Sequence, residues 1–162
     1  MINETWRLAP WAEWLFACDA RWWKARGPAS DEFHGQRLIG FETHPGCIPC
    51  GTVRGENRMR WDGRSLGAGG NSGFQAVNLA AACGARRIVL TGFDMARHAG
   101  AHWHADHRQG LTNPSARMLS NCAALLDAAA PELAARGAEV VNASRETALR
   151  AYRRMSMAEA LA

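Results

Sequence analysis

The stretch that most limits what this chain can become is GAGGNSGFQAVNLAAACGARRIVLTGFDM, running from Gly67 to Met95. It reads as a glycine-rich turn, a small-residue helix, a break at Gly84, a short apolar strand and an acidic strand end. Gly67, Gly69 and Gly70 let the backbone approach a ligand because no Cβ atom stands in the way. Asn71 or Ser72 can cap the helix, and the N–H groups of the first turn, around Gly73, attract anions. Ala76, Leu79, Ala80 and Cys83 fall on one apolar stripe at helical spacing, with Phe74, Val77 and Ala81 beside it. A helix apolar over so much of its circumference packs closely on a sheet. Ile88, Val89 and Leu90 form a non-alternating apolar run, the pattern of a strand covered on both faces. Gly92, Phe93 and Asp94 follow where that strand ends, which is where open α/β sheets hold ligands. Gly70, Asn71, Ser72, Gly73 and Asp94 are therefore candidate ligand-binding positions. The competing reading is an ordinary helix–strand unit whose glycines only form turns.

The remaining chain repeats the alternation. Met1 to Asn3 looks like the end of a strand, and Trp6 to Trp14, with Pro10, like a short helical turn packed on the sheet. Leu15 to Cys18 reads as a strand ending in Asp19, and Ala20 to Arg26 as a helix closed by Gly27-Pro28 with Trp22 and Trp23 half-buried. Arg37 to Phe41 is a plausible strand, Thr43 to Gly55 irregular, and Met59 to Ser65 a short edge strand. Ala96 to Thr112 is a long loop, and loops of that length in compact domains are usually functional or mobile. Asn113 caps a helix that begins at Pro114 and runs through Ala130, with Met118, Leu119, Cys122, Leu125 and Leu126 inward. Pro131 starts a further turn that ends at Gly137, and Glu139 to Asn142 is the last clear strand. Ser144 to Tyr152 and Ser156 to Leu161 read as short helices. Strands alternating with helical crossovers predict an α/β domain with a mostly parallel sheet and helices on both faces, one domain over residues 1–162.

Composition narrows the function classes. The chain has 162 residues, is 48% hydrophobic and carries a formal net charge of +4. That suits one globular domain and a phosphate-bearing ligand, while scattered arginines argue against a nucleic-acid surface. No run reaches the length of a membrane span and no signal-peptide layout is present, so the expected location is the cytoplasm. The odd number of cysteines, five in all, fits a reducing compartment better than a disulfide framework.

Two further clusters could carry chemistry. His98, His102, His104, Asp106 and His107 crowd one loop, and a neutral imidazole both accepts protons near physiological pH and ligates metals. The alternative is a solvated loop anchored by Trp103. His44-Pro-Gly-Cys47-Ile-Pro-Cys50 could supply three zinc ligands, but a single Cys-x-x-Cys pair is a weak signal and a proline-stiffened loop is the expectation.

Asn71-Ser72-Gly73-Phe74-Gln75-Ala76, Asn78-Leu79-Ala80, Gly84-Ala85, Thr91-Gly92-Phe93-Asp94-Met95 and His102-Trp103-His104-Ala105-Asp106-His107 together resemble a family of phage and prophage proteins, over nearly the whole chain. In shorter blocks the sequence is similar to the Rossmann-type bacterial sialyltransferases and to the archaeal pterin diphosphokinase family. The resemblance implies a Rossmann-like domain, in host cytoplasm if phage-encoded, and a nucleotide or nucleotide-sugar ligand. It places His107 as the general base towards an acceptor hydroxyl, His102 at the preceding motif position and His104 as a rival. It also sets Asn3 and Asp19 at strand ends around the nucleotide, and Asn71, Ser72 and Gly73 where a Ser-Gly pair opens a helix beside it. A turn residue at Asn3 and a helix N-cap at Asp19 are the competing assignments. Those families open with a strand and a Gly-Pro-Ser type turn that this sequence lacks, and Tyr152 is its only tyrosine. The expectation is thus a shortened or degenerate member: a nucleotide-sugar-dependent transferase, or a non-catalytic nucleotide- or metabolite-binding module. A sheet edge left open would invite a second copy.

Overall fold

A computed structural model describes residues 1–27, 32–96, 104–107 and 110–162. It is a mixed α/β structure in which every strand pair is parallel. β1 (Trp14–Ala17), β2 (Gln36–Ile39) and β3 (Ile48–Pro49) form one sheet. β4 (Thr52–Val53) pairs with β5 (Leu66–Gly67), and β6 (Arg87–Leu90) pairs with β7 (Glu139–Asn142), which pairs with β8 (Arg153–Arg154). Among the described residues there are three small sheets instead of one broad one. The first two are linked: the N–H groups of Cys50 and Thr52 donate to the carbonyls of Ile39 and Gly40 at 2.8 and 2.9 Å, so the β2 ladder continues past the break at Gly51. The proline- and glycine-rich stretch expected to be irregular thus supplies two short strands.

Helices α1 (Ala20–Arg26), α2 (Ser72–Ala82), α3 (Ala116–Ala128), α4 (Ala130–Ala135) and α5 (Met157–Leu161) occupy the intervening segments. Pro131 stands in the first turn of α4, where its missing N–H costs nothing. α2 packs on β1, β5, β6 and α3, and so joins the separate sheets. One apolar core gathers Phe74 and Val77 of α2 with Leu90, Leu126, Leu133, Leu149 and Tyr152. A second gathers Trp6, Leu15, Trp22, Trp23, Phe33 and Ile39 around β1 and α1. Trp22 and Trp23 are buried in it, deeper than expected. Trp11, by contrast, is 83% exposed, so only Trp6 of the N-terminal tryptophans packs in that core.

The deepest face of α2 is not its alanine stripe. Ala76, Leu79 and Ala80 are half-buried and Cys83 is exposed, whereas Ser72, Gln75 and Asn78 are buried. Each of these polar groups is matched. Asn78 accepts from the N–H groups of Arg60 and Gly67 at 3.0 and 2.9 Å and donates to the Arg60 carbonyl at 2.9 Å. Gln75 donates to the Ala68 carbonyl at 3.1 Å and accepts from Thr52 at 3.2 Å. Met59 to Ser65 is consequently a loop clamped by Asn78 rather than an edge strand.

Three other expectations change. Ser115, not Asn113, caps α3, accepting from Met118 N at 3.2 Å; Asn113 grips the backbone of His107 instead, through bonds of 2.8 and 3.2 Å. Met118 lies 45% exposed, outside the core it was expected to join. Residues 144–152 form no helix because their side chains clamp the end of β6. Ser144 Oγ accepts from Phe93 N at 2.9 Å and Thr147 donates to the Phe93 carbonyl at 2.7 Å.

Among the described residues β6 has a strand partner on one edge only. The Arg86 and Leu90 carbonyls accept from Glu139 and Ala143, so by alternation Arg87, Val89 and Thr91 turn their amides to the opposite side. Ile88 and Val89 are half-buried, not enclosed on both faces. Two outcomes follow. In hydrogen-exchange NMR the amides of Arg87, Val89 and Thr91 exchange much faster than those of Ile88 and Leu90. Replacing Asn78 by Leu strands two N–H groups and one carbonyl, so denaturant titration loses about 3 kcal/mol or more, since each orphaned buried group costs roughly 1–3 kcal/mol.

Candidate functional site

A cleft of about 370 Å³ opens where β1 ends and α2 begins. Asn3, Asp19, Ser72 and His107 line it, with Arg21, Glu42, Arg54 and the segment Gly110–Thr112 around them. Four residues singled out in the sequence, from four separate segments, therefore meet in one place.

Local structure explains how each arrives. Ile2 makes a parallel bridge to Phe16, carrying the N-terminal residues along β1 and delivering Asn3 to the strand's end. Asn3 then turns in the left-handed region at φ 49°, which asparagine tolerates better than most residues. Asp19 occupies the N-cap position of α1, yet its side chain makes no capping bond. Its carboxylate instead accepts from the Cys18 thiol at 2.9 Å. Burial, followed by the Asp19 contact, pushes the Cys18 thiol up to about 12, so it remains a protonated donor. Ser72 binds at the seam: its Oγ accepts from Cys18 N at 3.1 Å and donates to Asn3 Oδ1 at 3.5 Å.

His107 reaches the cleft through a chain of side chains that the sequence reading did not single out. Glu4, only 4% exposed, accepts from Trp22 Nε1 at 3.2 Å and is ion-paired with Arg26. Arg7 approaches its second oxygen at 3.4 Å. Arg26 extends its other arm to His107 Nδ1 at 3.2 Å. A guanidinium can only donate, so Nδ1 is the acceptor there and the neutral ring carries its proton on Nε2. His104 has the opposite arrangement. Its Nδ1 lies 2.7 Å from the Ala105 carbonyl, which can only accept, so the lone pair of the neutral ring sits on Nε2. The two rings are 4.9 Å apart. Of the histidine loop, His98, His102 and Trp103 lie outside the described residues.

Other candidates fall elsewhere. Gly70, Asn71, Gly73 and Asp94 are not among the cleft-lining residues. Asn71 is spent as the α2 cap, accepting from Phe74 N at 2.8 Å. At Gly73 a Cβ would stand 2.9 Å from Asn71 Oδ1 and 3.0 Å from the Phe93 ring, and at Gly69 it would stand 1.9 Å from the Phe74 ring. Packing, not ligand approach, accounts for both glycines. Gly70 turns at φ 78°. Asp94 is exposed, with its carbonyl accepting from Ala148 N at 2.8 Å. His44, Cys47 and Cys50 do not converge: Cys47 packs beside the Trp6–Trp23 core and Cys50 beside Phe16, Leu38 and Leu66. Burial raises both thiols, Cys50 to about 11. Among the described residues no group of three histidine, cysteine or acidic side chains could hold a metal ion.

Glu42, also a lining residue, holds the left-handed region at φ 64°, an uncommon state for a residue of its kind. Arg54 pairs with it at 3.1 Å across an exposed rim and stacks on Phe41 at 4.3 Å. Nothing in the sequence marks Glu42 or Arg54 as site residues; Glu4 had only the hint of an acid set among tryptophans. No helix among the described residues is long and apolar enough to cross a membrane. No family model matches the chain, and no curated protein or solved structure does.

Capping by Asn71 gives a direct check. Asn71→Ala should cost about 1 kcal/mol of stability and Asn71→Ser much less, as read by denaturant titration, because only a side-chain acceptor serves the Phe74 amide.

Proposed function

We propose that the chain binds a nucleotide-type small molecule in the cleft bounded by Asn3, Asp19, Ser72 and His107. The observation that carries this reading is the convergence of those four side chains, with the Asp19 carboxylate turned away from the helix it would ordinarily cap. An acid directly after a parallel strand is suited to a ribose diol, and Arg21 and Arg54 offer charge to a phosphate. The phage-protein resemblance and the all-parallel strand pairing are compatible with the same reading, in which the domain is Rossmann-like and acts in host cytoplasm.

A transferase is the second reading, favoured by the paired histidines. His104 Nε2 takes the proton of an acceptor hydroxyl, whose oxygen attacks the sugar's anomeric carbon. The bond from that carbon to the nucleotide phosphate breaks, and the phosphate leaves with the electron pair. The tautomer argument points to His104 over His107 as the base, because Arg26 already occupies Nδ1 of His107; His104 is not itself a cleft-lining residue, and its ring lies 4.9 Å from that of His107. A second copy adding at the open edge of β6 belongs to the same proposal; a mass that stays monomeric in light scattering at high concentration overturns that part.

Calorimetry with the four ribonucleoside 5′-monophosphates and their nucleosides tests the binding. At least one pair binds, and Asp19→Asn weakens both members of it about tenfold, roughly 1.4 kcal/mol. Failure of all eight compounds to bind at millimolar concentration overturns the reading. Turnover of a nucleotide-sugar that His104→Ala abolishes without loss of affinity distinguishes the transferase from the binding module.

A further inference from the structure

We infer that Glu4 and Arg26 form a positioning pair that fixes His107 as a hydrogen-bond donor towards the cleft, so that His107 holds an anionic oxygen of the ligand. The inference rests on the nucleotide reading for the ligand's identity, but the positioning itself stands on the geometry of the protein alone.

Glu4 is the anchor. A carboxylate buried this deeply persists only when paired and hydrogen-bonded, and it has Trp22 Nε1, Arg26 and Arg7 against it. Arg26 is the connector. It lies in the last turn of α1, half-buried, and its planar fork has donors to spare after binding Glu4. One of them meets His107 Nδ1 at 3.2 Å. The backbone of His107 is separately held by Asn113 on both its N–H and its carbonyl. Ring and backbone are thus fixed by different elements, and the one nitrogen that can donate is Nε2.

This divides the labour between neighbouring imidazoles. His107, proton on Nε2, donates; His104, lone pair on Nε2, accepts. Among the described residues the charged side chains lining the cleft, besides His107, are Asp19, Arg21, Glu42 and Arg54, the last two paired with each other. Both cations would draw the same anionic oxygen that His107 Nε2–H would bind.

The test reads the tautomer directly. In protein labelled with 15N, at a pH where the ring is neutral, His107 should show an acceptor-type Nδ1 and a protonated Nε2. Arg26→Met should convert that signature to a mixture of tautomers. Should Arg26→Met leave Glu4 unpaired and the protein unfolded, Glu4→Gln with Arg26→Met removes the buried charge as well and gives the same readout. A protonated Nδ1 in the unaltered protein, or a tautomer indifferent to Arg26, overturns the inference. With ribonucleoside 5′-monophosphates as probes, Arg26→Met should weaken the monophosphate about tenfold and leave the nucleoside unchanged. Equal weakening of both overturns the anion-holding role. If no monophosphate binds the unaltered protein, the nucleotide reading and the anion-holding role both fall, while the tautomer measurement still decides the positioning.

Discussion

Of the three small sheets, the first two are tied together by the polar side of a single helix, α2, whose apolar residues Phe74 and Val77 pack with Leu90 of the third. Ser72, Gln75 and Asn78 lie three residues apart on α2 and are buried. Between them they bind the end of β1, the start of β4, the turn after β5 and the loop before it. Apolar contacts alone would let α2 slide or rotate, because burial has no direction. Hydrogen bonds to backbone groups that would otherwise be orphaned fix one register. The fit is close enough to dictate neighbours: a Cβ on Gly40 would stand 2.2 Å from Gln75 Oε1.

The candidate site inherits its geometry from that seam. Ser72 is both the first residue of α2 and the group that satisfies Cys18 N, the amide just beyond β1. A polar group at this junction therefore cannot be assigned to ligand binding alone. Asn3 and Glu42 add a second mark. Both hold a left-handed backbone and both line the cleft, while Met95 is the other non-glycine residue in that state among those described. Such residues persist where the surroundings over-determine them, and they collect at ligand clamps.

What the sequence made legible follows from periodicity. The limits of α1 and β7, and a cap for α2 at Asn71 or Ser72, came from local rules of spacing and capping; the structure takes Asn71. The inward face of α2 did not, because alanine looks like core at any helical position while glutamine and asparagine look like surface. Only long-range partners, such as Arg60 and Thr52, turn Gln75 and Asn78 inward. Residues 144–152 carry a helical composition, but Ser144 and Thr147 spend their hydroxyls on Phe93, a bond that no local pattern announces. In the site, the family resemblance singled out Asn3 and Asp19 at their strand ends and His107 within the histidine-rich loop. Glu4 and Arg26 stayed hidden because an ion pair separated by twenty-odd residues leaves no spacing signal.

The charge arrangement of the cleft narrows what it can hold. Asp19 and Glu42 stand against Arg21 and Arg54, with Arg26 already committed to Glu4. A simple polyanion would be repelled by the two carboxylates, and a simple cation by the arginines. The exposed Glu42–Arg54 pair contributes little, whereas the Asp19 carboxylate, among the described residues, accepts from a thiol that burial keeps neutral. A ligand with hydroxyls at one end and a phosphate at the other satisfies both signs without leaving either unpaired. That requirement, more than the cleft's volume, is what speaks for the proposed nucleotide-type ligand over an inorganic anion.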